Sequence, residues 1–471
     1  MRSRLPKVLH PVCGRPMIGW PVAAASAAGA GRIIVVDAPG EPLREHLAAD
    51  VDVVVQPRLN GTAGAVRAGV DLVQQIAAET RQGAGGEGFE PIVVLSGDVP
   101  LITPQTIAGL LETHRRAGAG ATMLTEVRDD PTGYGRVVRS ETGEVERVVE
   151  TKSGGDATPE ELEITEVNSG IYAFDMAALM PALEGVGSSN EQGELYLPDV
   201  LPAMRLDGWS IATRMADDPV ETIGVNDRLG LAQVCEIAQR RILEAHMLAG
   251  VTIVDPHSTL IDAGVTIGED TVIAPFCCLY GNTTIGAGSA IGPQATLFDT
   301  EVGDEVTVIH SVLRSSTIGD RANIGPFASL RPGTVMRTGS KAGTFVEIKN
   351  SDVGAGTKVP HLSYIGDADI GEETNLGAST ITANYDGHDK HRTTIGSRVK
   401  TSVDTTLVAP VTVGDDVYTG AGSVITNDIP DGALGIARAR QTNIDGYAER
   451  RRRQAEPAPS DEQHPTPEGS H

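Results

Sequence analysis

Between residues 260 and 425 an aliphatic residue returns every sixth position. Ile261, Ile267, Ile273, Leu279, Ile285, Ile291 and Leu297 keep the beat without a slip. After shifts of phase it resumes at Val302 and Val308, at Val312, Ile318, Ile324 and Leu330, at Val353, Val359 and Ile365, and at Ile395, Leu407, Val413 and Ile425. A glycine or alanine often follows directly, as at Gly268, Ala274, Gly286, Gly354 and Gly414. A period of six fits neither a helix nor an alternating strand, and predicts a hexapeptide parallel β-helix. Each hexad forms one flat side of a triangular coil, its aliphatic residue points into the bore, and the small neighbour lets the chain turn the corner. Three hexads close a coil, so the array predicts about ten coils stacked at a strand spacing of about 4.8 Å.

The pattern before residue 220 is different. Short runs of branched residues alternate with longer stretches rich in alanine and leucine, which predicts strands at 32–36, 51–56, 92–95, 121–127, 170–174 and 211–215 and helices at 63–79 and 104–116. That alternation is the mark of an α/β domain on a mostly parallel sheet, which binds ligands at the carboxyl ends of its strands. Apolar residues at helical spacing over 227–248 predict one connecting helix of about six turns. The run from Glu449 to Arg453 leads into a tail rich in Pro, Glu, Ser and His, a composition that predicts disorder. The expected layout is therefore an α/β domain over 1–222, a linker helix over 223–249, the β-helix over 250–448 and a disordered tail over 449–471.

A chain of 471 residues is too long for one core, in keeping with two or three domains. The balance of 38 Lys and Arg against 63 Asp and Glu leaves a formal charge of −25, which argues against nucleic acid or a membrane surface as partner. The four consecutive arginines from Arg450 read, in so acidic a chain, as a solvated helix end. An aromatic content of 3% suits a narrow aliphatic bore. Cys13, Cys235, Cys277 and Cys278 show no metal-ligand spacing, and no apolar run reaches transmembrane or signal-peptide form, so a cytoplasmic location is expected.

Two places carry candidate chemistry. In Val93-Val94-Leu95-Ser96-Gly97-Asp98-Val99-Pro100 a strand stops at a glycine, an aspartate follows and a proline prevents the strand from resuming. A carboxylate there suits a magnesium ion on a nucleoside triphosphate, since Mg²⁺ takes one or two protein oxygens with phosphates and water. A turn aspartate that caps the next helix explains it equally well. The other place is where the hexads break. His361, Tyr364, Asp367, Asn375, Asn384, Tyr385, His391 and Arg392 crowd together, with Arg331 and Lys349 just upstream. A regular prism has no structural use for such side chains at its corners, which makes their concentration a functional sign.

Along the first domain Leu5-Pro6-Lys7-Val8-Leu9-His10, Gln56 with Asn60-Gly61-Thr62, Gly133-Tyr134-Gly135-Arg136, Glu150, Asn168-Ser169-Gly170 and Gly224-Val225-Asn226 fall in order. With Gly97-Asp98 they resemble the nucleotidyltransferase domain of sugar-nucleotide pyrophosphorylases. With the hexads and the His361 segment added, nearly the whole chain resembles one bifunctional family, which joins N-acetylglucosamine-1-phosphate uridylyltransferase to glucosamine-1-phosphate N-acetyltransferase. The resemblance implies an α/β, Rossmann-like nucleotidyltransferase domain, a left-handed β-helix and a cytoplasmic homotrimer. It implies acetyl transfer from acetyl-CoA to glucosamine-1-phosphate, then Mg²⁺-dependent uridylyl transfer from UTP to N-acetylglucosamine-1-phosphate with release of pyrophosphate, for peptidoglycan and lipopolysaccharide.

Carried over by motif, His361 is the expected general base. Arg331, Lys349, Tyr364, Asn375 and Lys390 are expected on the sugar phosphate, and Ala378, Asn384, Tyr385, Val403, Ala421 and Arg438 at acetyl-CoA. The resemblance further implies a site shared between prisms, where Asn384, Lys390 and Arg438 meet His361 from neighbouring subunits. Asp98 and Asn226 are the expected metal ligands, and Lys7, Gln56, Gly61, Thr62, Gly135, Glu150 and Asn168 the contacts to UTP and sugar. The sequence departs from the family pattern at Val403, where a serine is usual, and in starting without the strand and Gly-x-Gly-Thr-Arg loop that precede this segment in the family. That second departure implies little uridylyl transfer from the sequence as written. An acetyltransferase alone and a non-catalytic assembly protein are the other readings, and the set of His361, Tyr364, Asn384 and Lys390 speaks against the latter.

Overall fold

The computed structural model describes residues 1–80, 90–151, 157–187 and 194–455. The arginine run lies in an exposed helix, Tyr447–Ala455, in keeping with a solvated helix end, so the expected disordered tail does not begin at 449; the rest of it, 456–471, lies outside the described residues. Contacts divide the chain into two compact units, Met1–Pro332 and Gly333–His471.

In the first unit the elements expected for the α/β part fall within a few residues of the pattern: strands Ile34–Asp37, Asp52–Val55, Ile92–Val94, Ala121–Val127, Glu166–Phe174 and Ile211–Met215, and helices Thr62–Thr80 and Pro104–Ala117; helices Gly19–Ala27, Met176–Gly185 and Val200–Leu206 and strands Arg136–Arg139 and Val145–Val149 were not expected. The mostly parallel sheet expected from sequence is corrected. The long strand Glu166–Phe174 runs antiparallel to Ala121–Val127, to Ile92–Val94 and to Arg136–Arg139, while the parallel pairs are Ala121–Val127 with Ile211–Met215 and Ile34–Asp37 with Asp52–Val55. Alternation of strands and helices along a chain does not reveal that one long strand returns against its neighbours, and that is why the pattern misled. Among the described residues no ladder joins Ile34–Asp37 to the larger sheet. Tyr172 and Phe174, stacked at 5.3 Å, sit fully buried in the main core beside Met123, Leu179 and Met204.

Asp227 caps the helix Arg228–Leu248 by accepting from the Gly230 N–H at 2.9 Å. Coils begin directly after it, at Thr252–Ile253. Each unit contains part of a left-handed parallel β-helix with three ladders of two- to four-residue strands. In the first unit one ladder runs Leu260–Ile261, Cys278–Tyr280, Thr296–Phe298, Val312–Arg314 and Ser329–Leu330 in parallel register. Ile261, Ile273, Leu279 and Leu297 are sealed in the bore. One position in the beat is corrected: Leu313 points inward and Val312 is exposed. Leu297 pairs with Leu313, sixteen positions on instead of eighteen as from Leu279 to Leu297, because this coil has shorter corners.

The corners explain the small residues. A Cβ on Gly286 would lie 2.6 Å from the Gly303 backbone of the next coil, and one on Gly354 in the second unit 2.5 Å from Gly371. A second device, unread from the sequence, is a chain of buried hydroxyls. Thr271 Oγ1 donates to the Gly286 carbonyl at 2.7 Å and accepts from the Ser289 N–H at 3.0 Å; Ser289 Oγ in turn donates to Gly303 O and accepts from the Val306 N–H. Each hydroxyl satisfies a carbonyl and an amide that the turn leaves without a ladder partner. The first coil is also closed from outside: the Ile261 N–H, which points away from the next coil, donates to Gln239 Oε1 on the linker helix at 3.3 Å.

Candidate functional site

The loop after strand Ile92–Val94 carries Asp98. The helix that follows is capped by Thr103, which accepts from the Thr106 N–H at 3.2 Å, so capping does not account for the aspartate. Asp98 instead accepts from the Lys7 ammonium at 2.5 Å, and the same ammonium donates to Asn226 Oδ1 at 3.3 Å. The Val225 N–H bonds to the Asp98 carbonyl at 2.9 Å, which draws Gly224-Val225-Asn226 alongside. One cation thus bridges a carboxylate and an amide oxygen. Two hard oxygens already gathered on a positive charge fit a magnesium ion that keeps its remaining positions for phosphate and water.

Gln56, Gly61, Thr62 and Glu150 line a cavity of about 350 Å³ together with Leu59, Ala65, Glu194 and Tyr196. Gln56 Nε2 donates to the Gly61 carbonyl and to Asn60 Oδ1, both at 3.0 Å, and Thr62 Oγ1 accepts from the Leu197 N–H at 2.9 Å. Gly61 has a φ of +103°, and a Cβ there would lie 2.6 Å from the Leu195 carbonyl, so only glycine fits. Gly135 leaves room for Val148 and Glu150, at 2.8 and 3.2 Å from where its Cβ would stand. The Gly135 carbonyl accepts from the Asn168 N–H, whose side chain turns back to the Gly170 N–H at 2.9 Å. Glu194 and Tyr196 escaped the sequence reading. They reach the cavity because the Leu195 N–H bonds to Asn60 O at 2.7 Å, a contact between distant segments that no local spacing encodes.

In the second unit the side chains gather on neighbouring coils around Asp367. Its carboxylate, only 9% exposed, accepts from Asn350 Nδ2 at 2.6 Å, from Asn384 Nδ2, and from the Lys349 ammonium at 3.4 Å. Burial is the largest single influence and pushes its pKa up, but the two amides and the lysine outweigh it, and the carboxyl titrates below its ordinary range. Asp367 was part of the sequence segment but not of the expected site; its spacing of 17 or 18 residues from each partner, one coil, was the usable signal. Tyr364 joins the group: its hydroxyl and the Asn384 amide stand 2.5 and 2.9 Å from where a Cβ on Gly366 would be. Lys349 and Gly366 are register partners, and so are Glu347 and Tyr364.

His361 ends the strand Lys358–His361 with its side chain exposed. Its carbonyl takes the Ser379 N–H and the Ser363 hydroxyl, which fixes the backbone and leaves the imidazole to solvent. Asn375 forms single parallel bridges to Lys358 and Lys400 on the coils either side. The break in the hexads is a closed loop: Asp386 accepts from the Asp389 and His388 N–H groups, both at 2.8 Å, and pairs with His391 at 2.7 Å, so its carboxyl is held well below the usual range. Tyr385 and Lys390 form an antiparallel bridge across that loop. Ala378, Val403 and Gly422 follow one another at a corner of successive coils: the Asp404 N–H meets Ala378 O and the Gly422 N–H meets Val403 O. Ala421 and Arg438 are exposed, with Arg438 Cδ 3.9 Å from where a Cβ on Gly422 would sit. Arg331 belongs to the first unit, where it is exposed.

Residues 1–156 match the MobA-like NTP transferase domain family, and residues 264–299 match the bacterial transferase hexapeptide of six repeats. Over 461 residues the chain is 47% identical to the bifunctional protein GlmU of Mycobacterium tuberculosis, covering 96% of this chain and 90% of that protein. It is 46% identical to the GlmU of Mycolicibacterium vanbaalenii over 460 residues, with 96% and 91% covered. Against the GlmU of Mycobacterium ulcerans the identity is 44% over 485 residues, with 100% and 96% covered.

Proposed function

The chain belongs to the GlmU family of bifunctional proteins, and from that premise we propose how its residues divide the two reactions of UDP-N-acetylglucosamine synthesis. It is an acetyl- and uridylyltransferase. The observation that carries the residue assignment is the Asp367 hub, a buried carboxylate that holds Lys349, Asn350 and Asn384 on adjacent coils in a repeat that needs none of them.

In acetyl transfer His361 is the general base. The amine of glucosamine-1-phosphate is mostly ammonium near neutral pH; an exposed imidazole takes its proton so that nitrogen attacks the thioester carbon, the C–S bond breaks, and the departing CoA thiolate receives a proton back. Lys349, Tyr364, Asn375 and Lys390 hold the sugar phosphate. Asp367 does not touch substrate; it positions Lys349 and Asn384. Ala378, Val403, Ala421 and Arg438 follow a corner along which acetyl-CoA lies, with Asn384 and Tyr385 at its reacting end. Holding two substrates side by side supplies most of the rate.

In uridylyl transfer the sugar-phosphate oxygen attacks the α-phosphorus of UTP and pyrophosphate leaves. Asp98 and Asn226 would hold Mg²⁺, and a metal there would supply positive charge against the charge that builds on the phosphates. Lys7, already between them, turns its ammonium to the phosphates. Gln56, Gly61, Thr62, Gly135, Glu150 and Asn168 frame the cavity for uridine and sugar, and Glu194 and Tyr196 join them.

Assembly is a homotrimer through the repeats. Exposed Phe276 and Phe327 in the first unit, and Phe345 and Leu362 in the second, offer apolar corners to a neighbouring prism. No described helix is long and apolar enough to cross a membrane, and we propose that the protein acts in the cytoplasm. Sedimentation equilibrium of the full chain tests the assembly: three subunits are expected, with acetyl transfer confined to that species, and an active monomer contradicts it.

A further inference from the structure

A second cavity, of about 290 Å³, lies where helix Gly19–Ala27, the segment from Pro100 to Pro104 and helix Arg228–Leu248 meet. None of the residues assigned to either reaction lines it. Its floor is apolar, from Ala23, Ala24, Leu101 and Ile102. Two guanidinium groups reach it, and they differ. Arg241 is engaged: it donates to the Leu101 carbonyl at 2.7 Å and pairs with Asp218 at 3.4 Å. Arg15 has no carboxylate partner among the described residues; its guanidinium lies over the Trp20 ring, 5.0 Å from the centroid. Burial lowers its pKa and no acidic group counters the effect. Trp20 is fixed in turn, since its indole N–H donates to Val12 O at 3.1 Å.

A half-buried cation without a counter-ion is costly, and an apolar floor next to it stays poorly hydrated. We propose that this cavity binds a small amphiphilic anion, a carboxylate or phosphate head on an aromatic or branched apolar body. The head pairs with Arg15, whose planar fork donates two parallel hydrogen bonds to either oxyanion. The body covers the floor beside Trp20. At about 30 Å³ per water the space holds roughly ten waters, so a ligand of about ten non-hydrogen atoms fills it, whereas a nucleotide or coenzyme A is too large.

The chain contains two tryptophans, Trp20 and Trp209, so Trp209→Phe leaves the indole at the cavity as the sole tryptophan, which is excited selectively over the tyrosines. Titration of that full-length variant with phenyl phosphate and with benzoate should change its emission saturably, and the tighter of the two identifies the head group. Inorganic phosphate and benzyl alcohol, the two halves of the ligand, should each bind at least tenfold more weakly. Arg15→Gln should weaken binding at least tenfold with a melting temperature equal to or above the parent's. Should that variant fail to fold, Ala23→Leu, which fills the floor and keeps the guanidinium, should abolish binding instead. Excess UTP with Mg²⁺ should leave the signal in place. The proposal is overturned by a titration without saturation, by unaltered binding in a folded Arg15→Gln or Ala23→Leu protein, or by displacement with UTP.

Discussion

The two sites are built over very different distances along the chain. Lys7 meets Asp98 and Asn226 across 91 and 219 residues, while Asp367 meets Asn350, Asn384 and Lys349 across 17, 17 and 18. The first cluster exists only once a whole α/β domain has closed. The second needs three consecutive coils, each stacked on the one before. Long-range contacts cost more loop closure and form late, whereas nearest-neighbour contacts in a repeat form wherever the repeat propagates. A bifunctional chain of this kind therefore joins a site that depends on global folding to one that depends on local register.

That contrast is broken most sharply by removing one chemical group from each site. His361→Ala should lower acetyl transfer by about 10² to 10⁴ and leave UTP-dependent pyrophosphate release unchanged; a thioester assay that shows near-parent turnover refutes the assignment of the base. Asp98→Ala takes away the carboxylate that gathers Lys7, and pyrophosphate release should fall by about 10² to 10³ with CoA release unaltered. Loss of both activities in either variant would show that the sites are not independent.

Asp367→Asn tests whether local register alone holds the second site. The variant should lose about tenfold in acetyl transfer, mainly through KM for the sugar phosphate as Lys349 drifts, and about 2 kcal/mol of stability at neutral pH. The sign with pH follows from the lowered native pKa of Asp367. Its contribution is fully present above its unfolded value, near 3.9, and disappears as pH falls through the lower folded value. Urea midpoints of parent and variant should therefore differ at pH 7 and converge toward pH 2. The smallest effect is expected at Val403, which is 49% exposed. Val403→Ser should lower KM for acetyl-CoA by about two- to fivefold, the worth of one exposed hydrogen bond, and leave kcat alone.

Much of the second site was legible because the repeat supplies a ruler. Once the beat of six is known, Asn350, Asp367 and Asn384 stand one coil apart, and side chains that do not belong in a bore stand out. The hydroxyls at Thr271 and Ser289 were equally periodic, yet serine and threonine are common on strands and gave no contrast. The shift from Val312 to Leu313 was missed because both residues are aliphatic, and only the pairing with Leu297 decides between them. In the α/β part, strand positions could be read from branched runs, but not the direction of Glu166–Phe174, which depends on partners far away in sequence. The same limit hid Glu194 and Tyr196, and it hid that Thr103, not Asp98, caps the next helix.

The bond from Gln239 to the Ile261 N–H has a meaning for solubility. A stack of coils ends in unpaired amides and carbonyls of the same spacing as every joint within it, so a bare end is a template for the end of another prism. Closed assembly about an axis does nothing to prevent this, because ends can meet without disturbing the sides. With Gln239 against the first coil, the linker helix works as a stopper that stands between this protein and filament growth.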